Sequence, residues 1–226
     1  YIPIVWWLYT SGARPVMREK TKKDLAYEEI KRLILDGKLS GDMPVSENVL
    51  ANMLDISRTP VRDALRRLEM DGFVRVIPNQ GVVIREVSIS EVKEIYDMRI
   101  ALEEFVVREL ADGLSDEDFR NLEAILKKQE EACEKRDAVA FHEEDRKFHD
   151  YLMRAYGNAM ITNFIATLRD RIEGINVNML KTPGNMQLFY GEHKRIFEAL
   201  RKRSGEEAAK EMDKHLKGGK TRLIAS

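Results

Sequence analysis

From Asp24 to Lys38 apolar residues recur at helical spacing, at Leu25, Ile30, Leu33 and Ile34, and Gly37 closes the run. A loop containing Gly41 and Pro44 follows, then ENVLANML, a short periodic stretch that Ser46 is placed to cap. The turn DIS leads into RTPVRDALRRLEMDG. Here Ser57 takes the N-cap position, Thr59-Pro60 falls in a first turn where proline loses no hydrogen bond, and Gly72 ends the helix. The period then changes from helical to alternating. FVRVI (73–77) and GVVIREV (81–87) flank PNQ, the pattern of a β-hairpin. Helix, helix, turn, helix, hairpin is the order of a winged helix-turn-helix.

From Ser88 onward the patterning is helical throughout. It predicts helices at 89–111, 116–135, 137–156, 158–179, 186–203 and 205–223, with Ser90 and Asp116 as N-caps and Gly113, Gly157 and Gly205 as punctuation. An all-helical unit of this length reads as a bundle. The expected fold is mostly α: an N-terminal winged helix-turn-helix domain over residues 17–87 and a C-terminal all-helical bundle over 88–226. Residues 1–16 stand apart. YIPIVWWLY is far shorter than the roughly 20 residues a membrane helix needs, and it lacks the basic leader of a secretory signal. Met17 and a polar, basic stretch follow, so 1–16 is expected to be a non-native or disordered extension. The alternative is an apolar arm docked on a partner subunit.

Charge changes this picture little. Lys plus Arg total 38 and Asp plus Glu 39 in 226 residues, so bulk basicity gives no argument for nucleic acid, although a local patch still can. The single cysteine, Cys133, allows no intramolecular disulfide, which favours a reducing cytoplasm. It lies in the charged stretch EEACEKR with no partner for thiol chemistry and reads as a bystander.

A local patch is present. Arg58, Arg62 and Arg66 lie four residues apart on one face of the 58–70 helix, away from Val61, Ala64, Leu65 and Leu68. An arginine fork binds guanine edges bidentately or grips phosphate, and the helix N-terminus at Ser57 and Thr59 favours phosphate. A solvated face of i,i+4 charges involving Asp63 and Glu69 is the competing reading; the winged order of elements favours DNA. The segment SENVLANMLDISRTPVRDALRRLEMDGFV resembles the DNA-reading segment of the GntR superfamily of bacterial regulators. That resemblance implies operator contacts from Ser57, Arg58, Thr59 and Arg62, and a wing tip at Gly81, with Gln80 beside it, entering the minor groove. Asn48 stands where the family often has arginine.

The helical half carries a second anomaly. On the helix containing FHEEDRKFHDYLM, the apolar stripe of Phe141, Phe148 and Leu152 also holds Asp145 and His149. His193 falls inside the arc of Phe189, Ile196, Phe197 and Leu200. His215 lies at the edge of the arc of Ala208, Met212, Leu216 and Leu223. His142, the fourth histidine, is further from its stripe. One inward histidine is ordinarily a hydrogen-bonded core residue. Three, with an aspartate at i,i+4 from one of them, imply a shared partner, because unpaired buried polar groups cost about 1–3 kcal/mol each. One carboxylate and three imidazoles suit a divalent transition metal, zinc or nickel before manganese or cobalt; a metal-free pocket for an anionic ligand remains the alternative. DMRIALE, DRKFH, EHKRIFEAL and MDKHL resemble the FCD type, the effector domain of the FadR branch. In its metal-binding members an Asp, a His four residues on and two later histidines hold the ion, which implies Asp145, His149, His193 and His215 here. The two resemblances together cover residues 24–223.

Arg99 sits among Ile95, Leu102, Val106 and Leu110. It reads either as an ion pair with Glu103 or as a guanidinium that takes an effector carboxylate; the second is favoured. The whole implies a cytoplasmic, homodimeric, metabolite-responsive regulator, a repressor by family habit. It would bind palindromic double-stranded operator DNA, a divalent metal and a small carboxylate effector. The alternatives are a direct metal sensor and a metal-dependent hydrolase; no general-base or nucleophile motif accompanies the latter.

Overall fold

The computed structural model describes residues 21–35, 37–39, 44–78 and 80–225. The expectations for residues 1–16, Met17 and Gly41 lie outside them. The first part of the chain forms α1 (Lys22–Leu35), α2 (Glu47–Met53), α3 (Arg58–Met70), β1 (Val74–Ile77) and β2 (Gly81–Ile84). Ile30, Leu50, Val61 and Leu68 fill the centre between α1, α2 and α3. At roughly 1.5–3 kcal/mol per fully buried aliphatic side chain, such a cluster outweighs the weak propensity of a seven-residue helix such as α2. β1 and β2 pair antiparallel with Ile77 opposite Gly81, and this hairpin is the wing.

Two features anchor the wing. Val45 and Val82 exchange both backbone hydrogen bonds, at 2.7 and 3.0 Å, so the segment before α2 acts as a third strand. Gly81 makes this possible. Its φ is +117°, and a Cβ there would overlap the Val45 carbonyl. Gly81 therefore opens β2 beneath that carbonyl instead of forming the wing tip, which lies at Pro78 and Gln80. Gly81→Ala is expected to destabilise the winged half by about 1–3 kcal/mol, the usual cost of a strained backbone position. Urea unfolding would show this as a lowered midpoint.

The rest is helical: α4 (Ile89–Leu110), α5 (Asp116–Lys135), α6 (Ala138–Tyr156), α7 (Ala159–Arg171), α8 (Glu173–Leu180), α9 (Asn185–Arg201) and α10 (Gly205–Ala225). α4 and α9 both pack on α10, and α5 packs on α6. A second cluster, with Leu122, Phe141, Phe148, Leu152, Ile196 and Leu200 inaccessible to solvent, lies at their centre.

The sequence-based expectations need four corrections here. Ser88, not Ser90, caps α4, in a capping box with Glu91, and Ser115, not Asp116, caps α5, with Asp118. Ser57 holds the N-cap position of α3 but makes no side-chain cap bond. The single helix expected over 158–179 is two, broken at Ile172, which is fully buried.

Candidate functional site

α6 presents Asp145 and His149 one turn apart; α9 presents His193 and α10 presents His215. One potential ligand atom from each lies within 4.8 Å of every other. His149 Nε2 and His215 Nε2 are 3.1 Å apart, and His193 Nε2 is 3.4 Å from Asp145 Oδ1. Two ligand atoms about 2.0–2.1 Å from one tetrahedral zinc would be separated by about 3.3 Å. The spacing fits a shared ion.

The surroundings fix which ring nitrogens face inward. His149 Nδ1 donates to Glu103 Oε2 at 2.6 Å, and His215 Nδ1 donates to Glu192 Oε2 at 2.9 Å. Gln129 donates its amide to the Glu144 carbonyl, which turns its Oε1 to accept from His193 Nδ1 at 2.9 Å. With each Nδ1 occupied as donor, the neutral rings aim three Nε2 lone pairs and the Asp145 carboxylate at one point. Two lone pairs meeting at 3.1 Å repel, and the buried Nε2 of His193 has no hydrogen-bond partner. A cation resolves both problems at once. Such partners behind the histidines also set ring orientation and raise ligand basicity.

The titration behaviour points the same way. Burial, reinforced by the neighbouring His215, holds the His193 ring well below its ordinary pKa; burial and His149 push His215 down to about 3. Burial opposes ionisation of Asp145, but the surrounding histidines, His149 first, outweigh it and hold the carboxyl far below its usual range. Glu103 is likewise buried, and Arg99 and His149 keep it ionised. Asp145, His193 and His215 are therefore in the forms that could bind a metal at neutral pH. In the metal-free chain the sign follows directly. The unfolded histidines take up protons below about pH 6.5, whereas the folded His193 and His215 do not until far lower. The stability associated with their neutrality is complete above about 6.5 and is lost as pH falls. Thermal melts of chelated protein are expected to show a lower Tm at pH 5 than at pH 7.5.

Arg99 makes the expected ion pair and also stands in the pocket wall. Its Nε donates to Glu103 Oε1 at 2.7 Å, and it lines the same pocket as Asp145, His149 and His215. His142, Tyr96 and Asn176 complete the polar part of that wall. Glu103, Gln129 and Glu192, which orient the three rings, were not among the expected site residues. His142 was set aside, yet it is buried with both ring nitrogens lacking a hydrogen bond; its position one turn before Asp145 was the available signal.

The other expected surface lies on the winged half. Arg58, Arg62, Arg66, Gln80 and Gly81 line one groove between α3 and the wing, with Asn48 at its edge. Ser57 and Thr59 are exposed at the start of α3. Glu47, at the start of α2, accepts from both Nε and Nη2 of Arg62, the latter at 2.8 Å, and lies 3.7 Å from Arg58 Nη2. This carboxylate holds the Arg62 guanidinium at the groove.

Residues 22–84 match the family described as bacterial regulatory proteins, gntR family, and residues 94–218 match the FCD domain. The chain belongs to the GntR family. The uncharacterised HTH-type transcriptional regulator YdhC of Bacillus subtilis is 31% identical over 192 residues, 82% of this chain and 83% of that protein. The HTH-type transcriptional repressor RspR of Escherichia coli K12 is 27% identical, with 84% and 83% covered. Among solved structures, E. coli McbR/YncC superposes with a TM-score of 0.79 at 22% identity, covering 92% of this chain and 99% of that one, a likeness of fold. This GntR protein is a transcriptional regulator with an FCD domain; its families and relatives are regulators, not enzymes. GntR-family regulators bind operator DNA. No described helix is long and apolar enough to cross a membrane.

Proposed function

We propose that this GntR regulator is a cytoplasmic repressor whose FCD domain, residues 88–226, holds a divalent transition metal and a small carboxylate effector. On this reading the winged domain, residues 17–87, binds one half of a palindromic operator through Ser57, Arg58, Thr59, Arg62 and Arg66, with Gln80 and Gly81 at the wing. The observation that carries the metal reading is the convergence of three Nε2 lone pairs and one carboxylate with no hydrogen-bond donor among them. Asp145, His149, His193 and His215 would hold the ion, zinc or nickel first, with manganese or cobalt also compatible. Bound there, the metal supplies a Lewis-acidic position for an oxygen ligand.

Charge supports an anionic effector. Glu103 offsets Arg99, and Asp145 offsets half of a divalent ion, so the pocket lined by Arg99, Asp145 and His215 has a positive remainder. A carboxylate on the guanidinium and the metal neutralises it. A second copy of the chain is supported by an uncharged face on α4 and α7. There Met98, Phe105, Met160 and Phe164 are 40–83% exposed, and Leu102 lies between them. Contiguous apolar patches of this kind are typical of interfaces, and a two-fold pair suits a palindrome.

The test uses genomic fragments that the full-length protein selects. Their affinity would be measured for chelated protein, for zinc-loaded protein, and for zinc-loaded protein with a series of small mono-, di- and tricarboxylates. Weakened DNA binding with one carboxylate, only in the zinc-loaded form, is expected. If zinc alone produces the full change and no acid adds to it, the protein is a direct metal sensor and the effector reading is wrong.

A further inference from the structure

The helix break at Ile172 lies between the four-residue cluster and the winged half. α8, which starts just after it, separates two cavities. Asn176, Met179 and Leu180 form part of the wall of the metal pocket. Ile175 faces the other way, into a cleft of about 390 Å³ whose opposite wall is the winged half, at Ile34, Gly72 and Phe73.

The residues flanking the break carry ion pairs in both directions. On the pocket side, Glu173 Oε2 accepts from Arg146 Nη1 at 2.8 Å, and Glu173 Oε1 lies 3.7 Å from His142 Nε2. Arg146 immediately follows Asp145 on α6 and also pairs with Asp170 at 2.7 Å. On the winged side, Asp170 pairs with Lys31 of α1, and the Lys31 ammonium lies over the Phe73 ring. Arg171 Nη2 donates to Glu91 at 2.6 Å, and Glu91 also holds Arg85 at 2.7 Å at the end of the wing. The Arg171 guanidinium lies so close to Gly72, the turn between α3 and β1, that a Cβ there would stand 3.0 Å from its Cζ. Lys31, Asp170 and Arg171 are largely withdrawn from solvent, where ion pairs are screened less than at the surface.

We infer that the α7–α8 junction, Asp170 to Glu173, is the coupling element through which occupancy of the metal pocket sets the position of the winged domain. This rests on the metal reading above and specifies how that site regulates. Filling the pocket fixes α6 through Asp145 and His149 and loads the wall of α8. Both ends of the Arg146–Glu173 pair are then held, which orders Asp170 and its hold on Lys31. Interfaces of packed charges and side chains respond in steps rather than by continuous deformation. A coupling element must bias the same equilibrium from both sites, and this junction contacts both.

The test is hydrogen exchange of the full-length chain, chelated and zinc-loaded, with zinc alone as the probe. Zinc is expected to slow exchange of α1 amides on the order of fivefold or more, at the low end of typical allosteric coupling. Lys31→Met keeps the aliphatic packing, and Lys31 is neither in the four-residue cluster nor in the wall of its pocket. It should bind zinc as the unmutated chain does but lose the zinc-dependent difference in α1, whereas Lys31→Arg should retain it. A Lys31→Met chain with the full difference overturns the inference while leaving the metal site intact. So does an unmutated chain that binds zinc with no change in α1. Absence of zinc binding in the unmutated chain overturns the metal reading, and the coupling falls with it.

Discussion

His193→Ala reduces bound zinc from one ion per chain to a small fraction of that. Each of the three imidazoles supplies a quarter of the ligand set, and His142, in the same pocket wall, is not part of the four-residue cluster. His193 is also the ring whose inward nitrogen has no partner but the neighbouring carboxylate. Its loss should therefore exceed the roughly 10–100-fold penalty for removing a group that merely orients a ligand. Gln129→Ala supplies that comparison. Gln129 orients His193 without approaching the ligand focus, so zinc affinity should fall within that smaller range. Elemental analysis after dialysis measures the first, and titration against a chelating indicator the second. Full zinc stoichiometry in His193→Ala would remove the residue from the site.

Arg58→Ala weakens binding to the selected DNA about tenfold or more while leaving thermal stability unchanged. Its side chain is 60% exposed and makes only a long contact with Glu47, so the fold does not depend on it. A bidentate base contact is worth about 1–3 kcal/mol of discrimination. Arg62 behaves differently. Its guanidinium is engaged twice by Glu47, so it approaches DNA already aimed but partly neutralised. Glu47→Gln should accordingly strengthen non-specific binding and steepen its dependence on salt, since one more cation becomes free to meet phosphate. Fluorescence anisotropy over a salt series separates the two. An Arg58→Ala chain with unchanged affinity and specificity would move the reading surface away from α3.

The winged half and the helical character of the rest were legible because each element there has one buried face with one period. Arg58, Arg62 and Arg66 were legible as the charged remainder of a helix whose other face is plainly apolar. Asp145, His149, His193 and His215 stood out for the opposite reason: polar residues inside apolar arcs. Their supports did not stand out. Glu103 is explained locally as the i,i+4 partner of Arg99, and its second oxygen reaches His149 on another helix only through tertiary packing. Gln129 lies in KKQEEACEK, which looks like a solvated face, yet it is fully buried. The break at Ile172 was hidden because Arg171 to Leu180 continues an apolar-polar rhythm without proline. Ile172 fits that rhythm, and the ion pairs of Asp170 and Arg171 beside the break, with Lys31 and Glu91, are tertiary contacts that no local pattern encodes. The caps at Ser88 and Ser115 were legible in principle, since S-x-x-E and S-x-x-D precede both helices.

On the proposed reading, occupancy of the four-residue cluster sets affinity for DNA. The most direct measurement compares the unmutated chain and His193→Ala on the same selected operator, each titrated with the carboxylate that acts on the zinc-loaded protein. The unmutated chain should change its operator affinity by about fivefold or more, within the usual range of allosteric coupling. His193→Ala should bind the operator with an affinity that the carboxylate leaves unchanged. A His193→Ala chain that responds to the carboxylate as the unmutated chain does would contradict the claim.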